Sequence, residues 1–492
     1  MYTIKSYHYE GPIQLGSVVA HHCGAAGLFS AKEEAHVVLK GQRIGADGKG
    51  QAARFQLTAQ VQGQLDKVFE GEDSSLGRRQ IGQDLLVWLR HLQGLEPYPA
   101  WGTMVGVRPT KFVHNTMNDY EGGEELALNY AMERLEADFH VSSAKRELLA
   151  GIARLQRPLV APSPDQDRHI SVYGGIPFCQ TRCTYCSFPY GLIQDYDRVP
   201  EFLQAFGRDA QHLQELIREK GLSVDSLYIG GGTPTAVDDG SFEGLLDALD
   251  GIIVEGREYT LEAGRPDSVT DRKLKAMMAH GVNRISVNPQ TMDDRILRLI
   301  GRGHTADDIR QLYKAVREQT DFAVNMDFIA GLPGQAMSHM QDNMNYICEA
   351  MPENVTIHTL ALKKGSPLYD GLGRQEMPDM EAVKDMVAYA SDRWFSLGYQ
   401  PYYLYRQQYM TGQLENIGYA LPGHMCHYNV HMMEERQSIL SIGPGSSSKW
   451  MRGPDYRQVK QHMPKNVDAY IDTLDQLLEK RKHMSNTFWE VV

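Results

Sequence analysis

Residues 173–191 read YGGIPFCQTRCTYCSFPYG, a short apolar run that passes straight into a loop carrying Cys179, Cys183 and Cys186. The run has strand composition, and the loop packs three thiols at C-x3-C-x2-C spacing. The other three of the six cysteines, Cys23, Cys348 and Cys426, stand alone, and buried packing is the expectation for them. Six cysteines in 492 residues are too few for a disulfide scaffold, so a reducing, cytoplasmic setting is expected. Three thiolates at this spacing can grip one face of a 4Fe-4S cluster, which ordinarily takes a ligand at each of its four irons. One iron is then left for an outside chelator. A structural zinc site would want a fourth Cys or His, usually in a second pair, and no such pair occurs. A chance group of buried thiols and a lone catalytic thiol complete the alternatives.

Working outward from this loop, residues 170–362 alternate short apolar strands with helix-length amphipathic segments. The predicted strands are 170–176, 225–231, 259–264, 284–289, 323–331 and 355–362. Six strands alternating with helices imply βαβ units and a parallel sheet. Periodicity does not choose between an open doubly wound sheet and a barrel, but in both the strand carboxyl ends carry the chemistry. Before this region, residues 1–165 read as an α+β domain that ends in the proline-containing linker LVAPSPDQDRH at 159–169; helices are predicted at 76–94 and near 123–156. Residues 166–375 form the βα domain. Residues 376–492, with helix candidates at 380–397 and 468–484, read as a mostly helical, substrate-covering extension.

The bulk numbers exclude several function classes. Fifty Lys and Arg against 62 Asp and Glu give a net charge of -12, which opposes attraction to a phosphate backbone, so no nucleic-acid partner is expected. The amino terminus MYTIKSYHYEGP lacks the pattern of a signal peptide. The apolar stretches are far shorter than the ~20 residues that cross a bilayer, so no membrane partner is expected either.

A second motif follows one βα unit after the cysteine loop. YIGGGTPT at 228–235 puts three consecutive glycines at a strand end, where backbone can approach a ligand or simply turn. IPFCxxxCxYCxF, GGGTPT and MDFIAGLPGQ together resemble the radical S-adenosylmethionine (SAM) oxygen-independent coproporphyrinogen III oxidases and their relatives. WGTMVGVRPTK, SVNPQTM, YYLYRQ and LENIGYALPG resemble its HemZ-type coproporphyrinogen dehydrogenase branch. The resemblance implies an α/β fold, a partial (β/α)6 TIM-type barrel. It implies a 4Fe-4S cluster on Cys179, Cys183 and Cys186, and one SAM bound to it. Tyr173, Tyr185 and Gly231 match positions that contact this SAM, and Glu262 matches a carboxylate that binds it; Tyr173 and Glu262 count with the cysteines as catalytic. Gly232, Thr233, Gln290, Arg302 and Asp327 correspond to a second SAM pocket. Without the family, Arg302 and Asp327 read equally as a structural ion pair.

Two departures stand out. Ser187 and Phe188 follow Cys186 where the oxidase branch has a further cysteine, and Gly175 stands where it has a histidine. The implied reaction is removal of hydrogen from a propionate β-carbon of coproporphyrinogen III by a 5'-deoxyadenosyl radical. Loss of carbon dioxide and one electron then leaves a vinyl group, and two rounds give protoporphyrinogen IX. The implied partners are a tetrapyrrole substrate and an electron donor such as flavodoxin or ferredoxin. Arg406, His424, His427 and Lys449 are candidate cations for the substrate carboxylates. Two other functions stay open: a heme-binding chaperone or tetrapyrrole methyltransferase of the same family, and a non-enzymatic zinc-stabilised module. GVRPTK at 106–111 reads as a basic, proline-fixed loop able to touch an anion, or as a plain surface turn.

Overall fold

The structure, a computed structural model, describes residues 6–26, 28–30, 35–44, 53–61, 65–104, 106, 108–163, 165–188, 191–363, 365–371, 376–406, 414–452 and 457–489. It divides into two compact units, residues 1–107 with 115–150, and residues 108–114 with 151–492.

In the first unit, strands β1 (Ser6–Glu10), β2 (Phe29–Ser30), β3 (Val37–Ile44), β4 (Arg54–Val61) and β5 (Leu65–Glu72) form a sheet of order β2-β1-β3-β4-β5. Alternation in β4 buries Phe55, Leu57, Ala59 and Val61 against helices α1 (Ile13–Ala25) and α2 (Ser75–Gln93). Cys23 lies in that core, as packing predicts. The helix expected near 123–156 is two helices, α4 (Glu124–Phe139) and α5 (Ser143–Val160), which follow α3 (Pro109–Asn118). His140 takes a left-handed φ of 56° and ends α4, its N–H returning to Glu136.

The second unit is built on the predicted alternation. Strands β6 (His169–Ile176), β9 (Ser223–Gly231), β10 (Glu258–Glu262), β11 (Arg284–Ser286), β12 (Ala323–Ala330) and β13 (Asn354–Thr359) are parallel and lie side by side in chain order. Between them run α6 (Val199–Lys220), α7 (Asp239–Leu249), α8 (Asp271–Ala279), α9 (Asp294–Leu299), α10 (Ala306–Gln319) and α11 (Met337–Ala350). Two short strands, β7 (Phe178–Cys179) and β8 (Gly191–Leu192), pair within the cysteine loop. This is a partial (β/α)6 barrel whose sheet stays open.

Its two edges are covered by the carboxyl-terminal region, which corrects the expectation of a mostly helical extension. Besides α12 (Met380–Ser396), α13 (His427–Glu434), α14 (Val467–Asp472) and α15 (Leu474–Trp489), that region supplies five strands. β14 (Gln400–Arg406) and β15 (Glu415–Ala420) extend the sheet beyond β13, while β16 (Ser438–Ile442), β17 (Ser447–Arg452) and β18 (Arg457–His462) extend it beyond β6. An open parallel sheet leaves unpaired backbone at both edges; β15 pairs with β13 at one of them, and the aromatic, β-prone QPYYLYR of β14 pairs in turn with β15. The segment 407–413, part of the Tyr-rich reading, lies outside the described residues.

The terminal helix is fixed by a fully buried ion pair, Arg481 with Asp209 of α6 at 2.6 Å. Tyr470 donates to the same carboxylate at 2.7 Å and the Gly443 N–H at 2.9 Å. Breaking such a pair by removing one partner strands a buried charge and costs about 3–5 kcal/mol. Arg481→Met is therefore expected to lose about that much stability, read as a lowered denaturation midpoint in urea.

Candidate functional site

Cys179 sits buried in β7, immediately past the carboxyl end of β6, while Cys183 and Cys186 are half-buried further along the loop. Arg265, itself buried, donates to the Thr181 carbonyl at 3.1 Å and to Thr181 Oγ1 at 2.7 Å. The Thr184 N–H reaches the Ile300 carbonyl at 3.0 Å, and Leu368 N–H reaches Thr184 at 2.9 Å. The three glycines act on this loop directly. A Cβ on Gly231, whose φ is +111°, would lie 2.8 Å from the Ile176 carbonyl, and one on Gly232 only 2.4 Å from that of Phe178. Their absence lets Gly232 N–H bond Ile176 at 2.7 Å and Thr233 N–H bond Phe178 at 2.6 Å. The Thr233 hydroxyl faces Cys179 Sγ at 3.6 Å. GGGT is thus a clamp on the first cysteine.

Burial pushes the Cys179 thiol up to about 11, against the Thr233 hydroxyl, and the neighbouring Cys183 and Cys186 push the same way. Burial raises Cys186 too. Cys179 and Cys186 ionise together only around a compensating cationic core. The sulfur atoms of the three cysteines do not all lie within 4.8 Å of one another, so they are not gathered for a single ion. Ligand atoms around one zinc at about 2.3 Å would lie within about 4.6 Å of each other. Among the described residues the one group of three Cys, His, Asp or Glu ligand atoms within 4.8 Å of each other is Asp247, Asp250 and His280, elsewhere on the surface. The donor chemistry and spacing fit an iron-sulfur cluster held by Cys179, Cys183 and Cys186.

Glu262 ends β10 and turns its carboxylate toward Gly230, where a Cβ would come within 2.8 Å of it. Tyr228 donates to Glu262 Oε1 at 2.7 Å. Burial raises this carboxyl to about 7, opposed by the Tyr228 hydroxyl, while the charge of Asp327 pushes it further up. Among the described residues no Lys, Arg or His forms a salt bridge with it. A deep carboxylate without a cation partner suits a cationic ligand. Tyr173 of β6 stacks 6.2 Å from Tyr228, and Tyr428 of α13 closes the stack at 4.5 Å from Tyr228.

Of the remaining predicted residues, Gln290 and Asp327 meet at the carboxyl ends, while Arg302 joins Tyr185 of the cysteine loop. Gln290 takes a left-handed φ of 66°, with its N–H on the Asp327 carbonyl at 2.9 Å. Burial would raise the Asp327 carboxyl, but His358 at 3.7 Å, together with Asn325 and Thr356, holds it below its ordinary value. Arg302 donates to the Gly264 carbonyl and the Tyr185 hydroxyl, each at 3.1 Å, and its Nε has no hydrogen-bond partner among the described residues. The alternative Arg302–Asp327 ion pair is not formed: the acid pairs with His358 instead. Gly232 and Thr233 have their N–H groups engaged by the cysteine loop.

The candidate cations scatter. Arg406 ends β14 beside Tyr405, whose hydroxyl meets His358 Nδ1 at 3.3 Å, so it belongs to the carboxyl-end side. Lys449 lies 3.4 Å from Glu435, and the His424 carbonyl takes Arg284 and Asn354. His427 lines a cavity of about 630 Å³ at the opposite, amino ends of the strands, with His169, Asp225, Glu258 and His431. That end is removed from the cysteine loop.

The sequence pattern of the radical SAM superfamily matches residues 174–347. Over 402 residues the chain is 34% identical to the oxygen-independent coproporphyrinogen-III oxidase-like protein HemZ of Bacillus subtilis, covering 79% of this chain and 77% of HemZ. The chain belongs to the HemZ-like branch of the radical SAM superfamily. A further relative is the heme chaperone HemW of Bacillus subtilis, 28% identical over 47% of this chain and 62% of HemW. Among solved structures, the Escherichia coli coproporphyrinogen III oxidase HemN, a radical SAM enzyme, superposes with a TM-score of 0.52 at 21% identity, over 66% of this chain and 72% of HemN. HemN shares the fold. Membership in the superfamily implies a 4Fe-4S cluster and SAM.

Reading the motifs missed Tyr228, His358, Arg265 and Tyr428 as parts of this HemZ-like site. Tyr228 opens the YIGGGTPT motif and was open to view; His358 and Tyr428 come from residues brought in only by folding. The clamp yields a prediction. Gly232→Ala forces a methyl group against the Phe178 carbonyl, an overpacking of about 1–3 kcal/mol. The variant is expected to fold, yet to hold less than half the iron and sulfide of the parent after oxygen-free reconstitution, measured by metal and sulfide analysis.

Proposed function

We propose that the chain is a radical SAM enzyme that removes carbon dioxide from propionate side chains of coproporphyrinogen III, leaving vinyl groups. The observation that carries this reading is the pairing of three unbonded thiols on one strand end with the cation-free Glu262 carboxyl on a nearby one. The likeness to HemZ along most of both chains supports the tetrapyrrole as substrate. When bound, the cluster on Cys179, Cys183 and Cys186 supplies an electron that splits SAM into methionine and a 5'-deoxyadenosyl radical.

The chain's own residues do the rest. Glu262 binds the cationic part of SAM, oriented by the Tyr228 hydroxyl. The ring stack of Tyr173, Tyr228 and Tyr428 fills the barrel below it and excludes water from a radical that would otherwise be quenched. Tyr185 and Arg302 brace the cysteine loop on the other side. Gln290, Arg302 and Asp327 are proposed to take a second SAM or part of the substrate, with His358 holding Asp327 ionised. Arg406, at the carboxyl end of β14 and opposite Glu415, is the candidate cation proposed to meet a propionate carboxylate.

The test is to supply coproporphyrinogen III, SAM and a reductant without oxygen. Deoxyadenosine and a product lighter by carboxyl groups are expected, and both disappear in Cys183→Ala. Deoxyadenosine without decarboxylation would discard this substrate. A second reading has its own observation: Ser187 and Phe188 follow Cys186, and HemW, named a heme chaperone, is also a relative. Heme retained on the protein with no decarboxylation would favour it.

The electrostatics of Glu262 give a pH dependence with a definite sign. Its folded value is raised to about 7, so the protonated form predominates below that pH and the carboxylate above it. Affinity for SAM should climb by up to about tenfold per pH unit toward neutrality and flatten above about pH 8. Glu262→Gln should bind SAM more weakly and lose that part of the slope. Equilibrium dialysis of the reconstituted protein at several pH values checks it.

A further inference from the structure

Helix α13 has eight residues, too few to persist by itself in water. Both of its ends are gripped by carboxylates. At the first turn Glu258, which opens β10, accepts the N–H groups of His427 at 2.7 Å and Tyr428 at 2.9 Å, and the Cys426 thiol at 3.4 Å. At the other end, Glu434 accepts the Thr110 hydroxyl at 2.5 Å. Glu435, in the left-handed conformation that stops the helix, takes Lys111 at 2.7 Å and Arg108, with Gln458 at 3.2 Å and Lys449 at 3.4 Å as longer partners. Burial alone would raise the Glu435 carboxyl, but Lys111 and Arg108 hold it well below the usual carboxylate range. Arg108, with Thr110 and Lys111 in the first turn of α3 where a loop was expected, therefore meets an anion, and the anion is the chain's own.

Between these grips Tyr428 reaches into the barrel and stacks 4.5 Å from Tyr228, which in turn bonds Glu262. The Tyr428 hydroxyl is buried and has no hydrogen-bond partner among the described residues. Its ring is consequently held by packing and by the position of α13, with no polar tether of its own.

We infer that Arg108, Thr110 and Lys111 form a clasp on Glu434 and Glu435 that positions Tyr428 against Tyr228, and through it sets the Glu262 carboxylate for SAM. These are positioning residues: none touches the cysteine loop or Glu262. The inference rests on the SAM-binding part of the proposed function and is independent of which tetrapyrrole, if any, is consumed. Loss of the clasp leaves the carboxyl end of α13 to the longer Lys449 and Gln458 contacts alone, lets the helix and the Tyr428 ring shift about the Glu258 anchor, and leaves Tyr228 free to turn away from Glu262.

The test combines hydrogen exchange with a double-mutant cycle. In the purified protein before cluster loading, Arg108→Ala/Lys111→Ala is expected to speed amide exchange at His427 and Tyr428 at least tenfold, with β10 and β12 unchanged; Arg108→Lys keeps the parent rate. After loading, the same double variant and Tyr428→Leu should each weaken SAM binding about five- to twentyfold by equilibrium dialysis. Combined, they should weaken it no more than either alone, because both act through one ring. Lys111→Met, which leaves Arg108 on Glu435, should fall between parent and double variant and serves if the latter does not fold. Unchanged exchange at 427–428, faster exchange spread over the barrel strands, or additive losses of SAM affinity would each overturn the clasp. Failure to consume coproporphyrinogen with these readings intact would remove only the substrate.

Discussion

Three thiols cannot ionise side by side in a half-buried loop unless something positive lies among them. Cys179 is pushed up to about 11 by burial and by its two companions, and no acid or metal-binding histidine shares the loop. Much of the second unit is arranged so that this loop keeps its shape regardless. Gly231 and Gly232 bring one backbone against it from β9, Arg265 holds Thr181 from beyond β10, and the carbonyls of Ile300 and Gly301 fix it from the end of α9. Each support comes from a different βα unit, so the thiols are set by the barrel as a whole. A site on rigid strand ends loses little order when its ligands arrive.

The same logic separates what was readable in the sequence from what was not. The six parallel strands were legible because each is a short apolar run flanked by amphipathic helix, and their register follows from sequential βα pairing. The thiols, the glycines and Glu262 were legible because all lie at the carboxyl ends of those strands. GGGTPT was legible as a motif but misread in part: its glycines admit neighbouring backbone at least as much as any ligand. The Asp327–His358 pair replaced an expected partner because β12 and β13 are neighbours, with Ile329 opposite His358, a relation that sequence distance does not reveal.

Least legible was the carboxyl-terminal region. Its helices carry a clear period, but β16 pairs with β6 across 268 residues of chain, Ser438 opposite Ile170, a contact only the fold defines. Tyr428 belongs to the same class. In sequence it is one residue of a loop rich in His, Met and Tyr; in the fold it is one of three mutually stacked rings, beside the Tyr228 that bonds Glu262.

This distribution bears on how one scaffold serves different tasks. The superfamily pattern spans residues 174–347, and within it lie the three cysteines, the glycine clamp, Glu262, Gln290, Arg302 and Asp327. Apart from Tyr173, the residues expected to hold a cluster and SAM therefore lie inside one stretch. The residues that enclose the site are outside it: His358 and Tyr405 beside Asp327, Arg406 at the end of β14, Tyr428 on α13, and the clasp at 108–111. A relative can keep the first set and change the second without disturbing the strands that position the cysteines. Fold and cofactor then persist while the molecule admitted to the barrel changes. In this chain the enclosing residues include a segment from before the barrel begins, while Ser187 and Phe188, the departure that bears on the choice of task, lie inside the matched stretch beside Cys186.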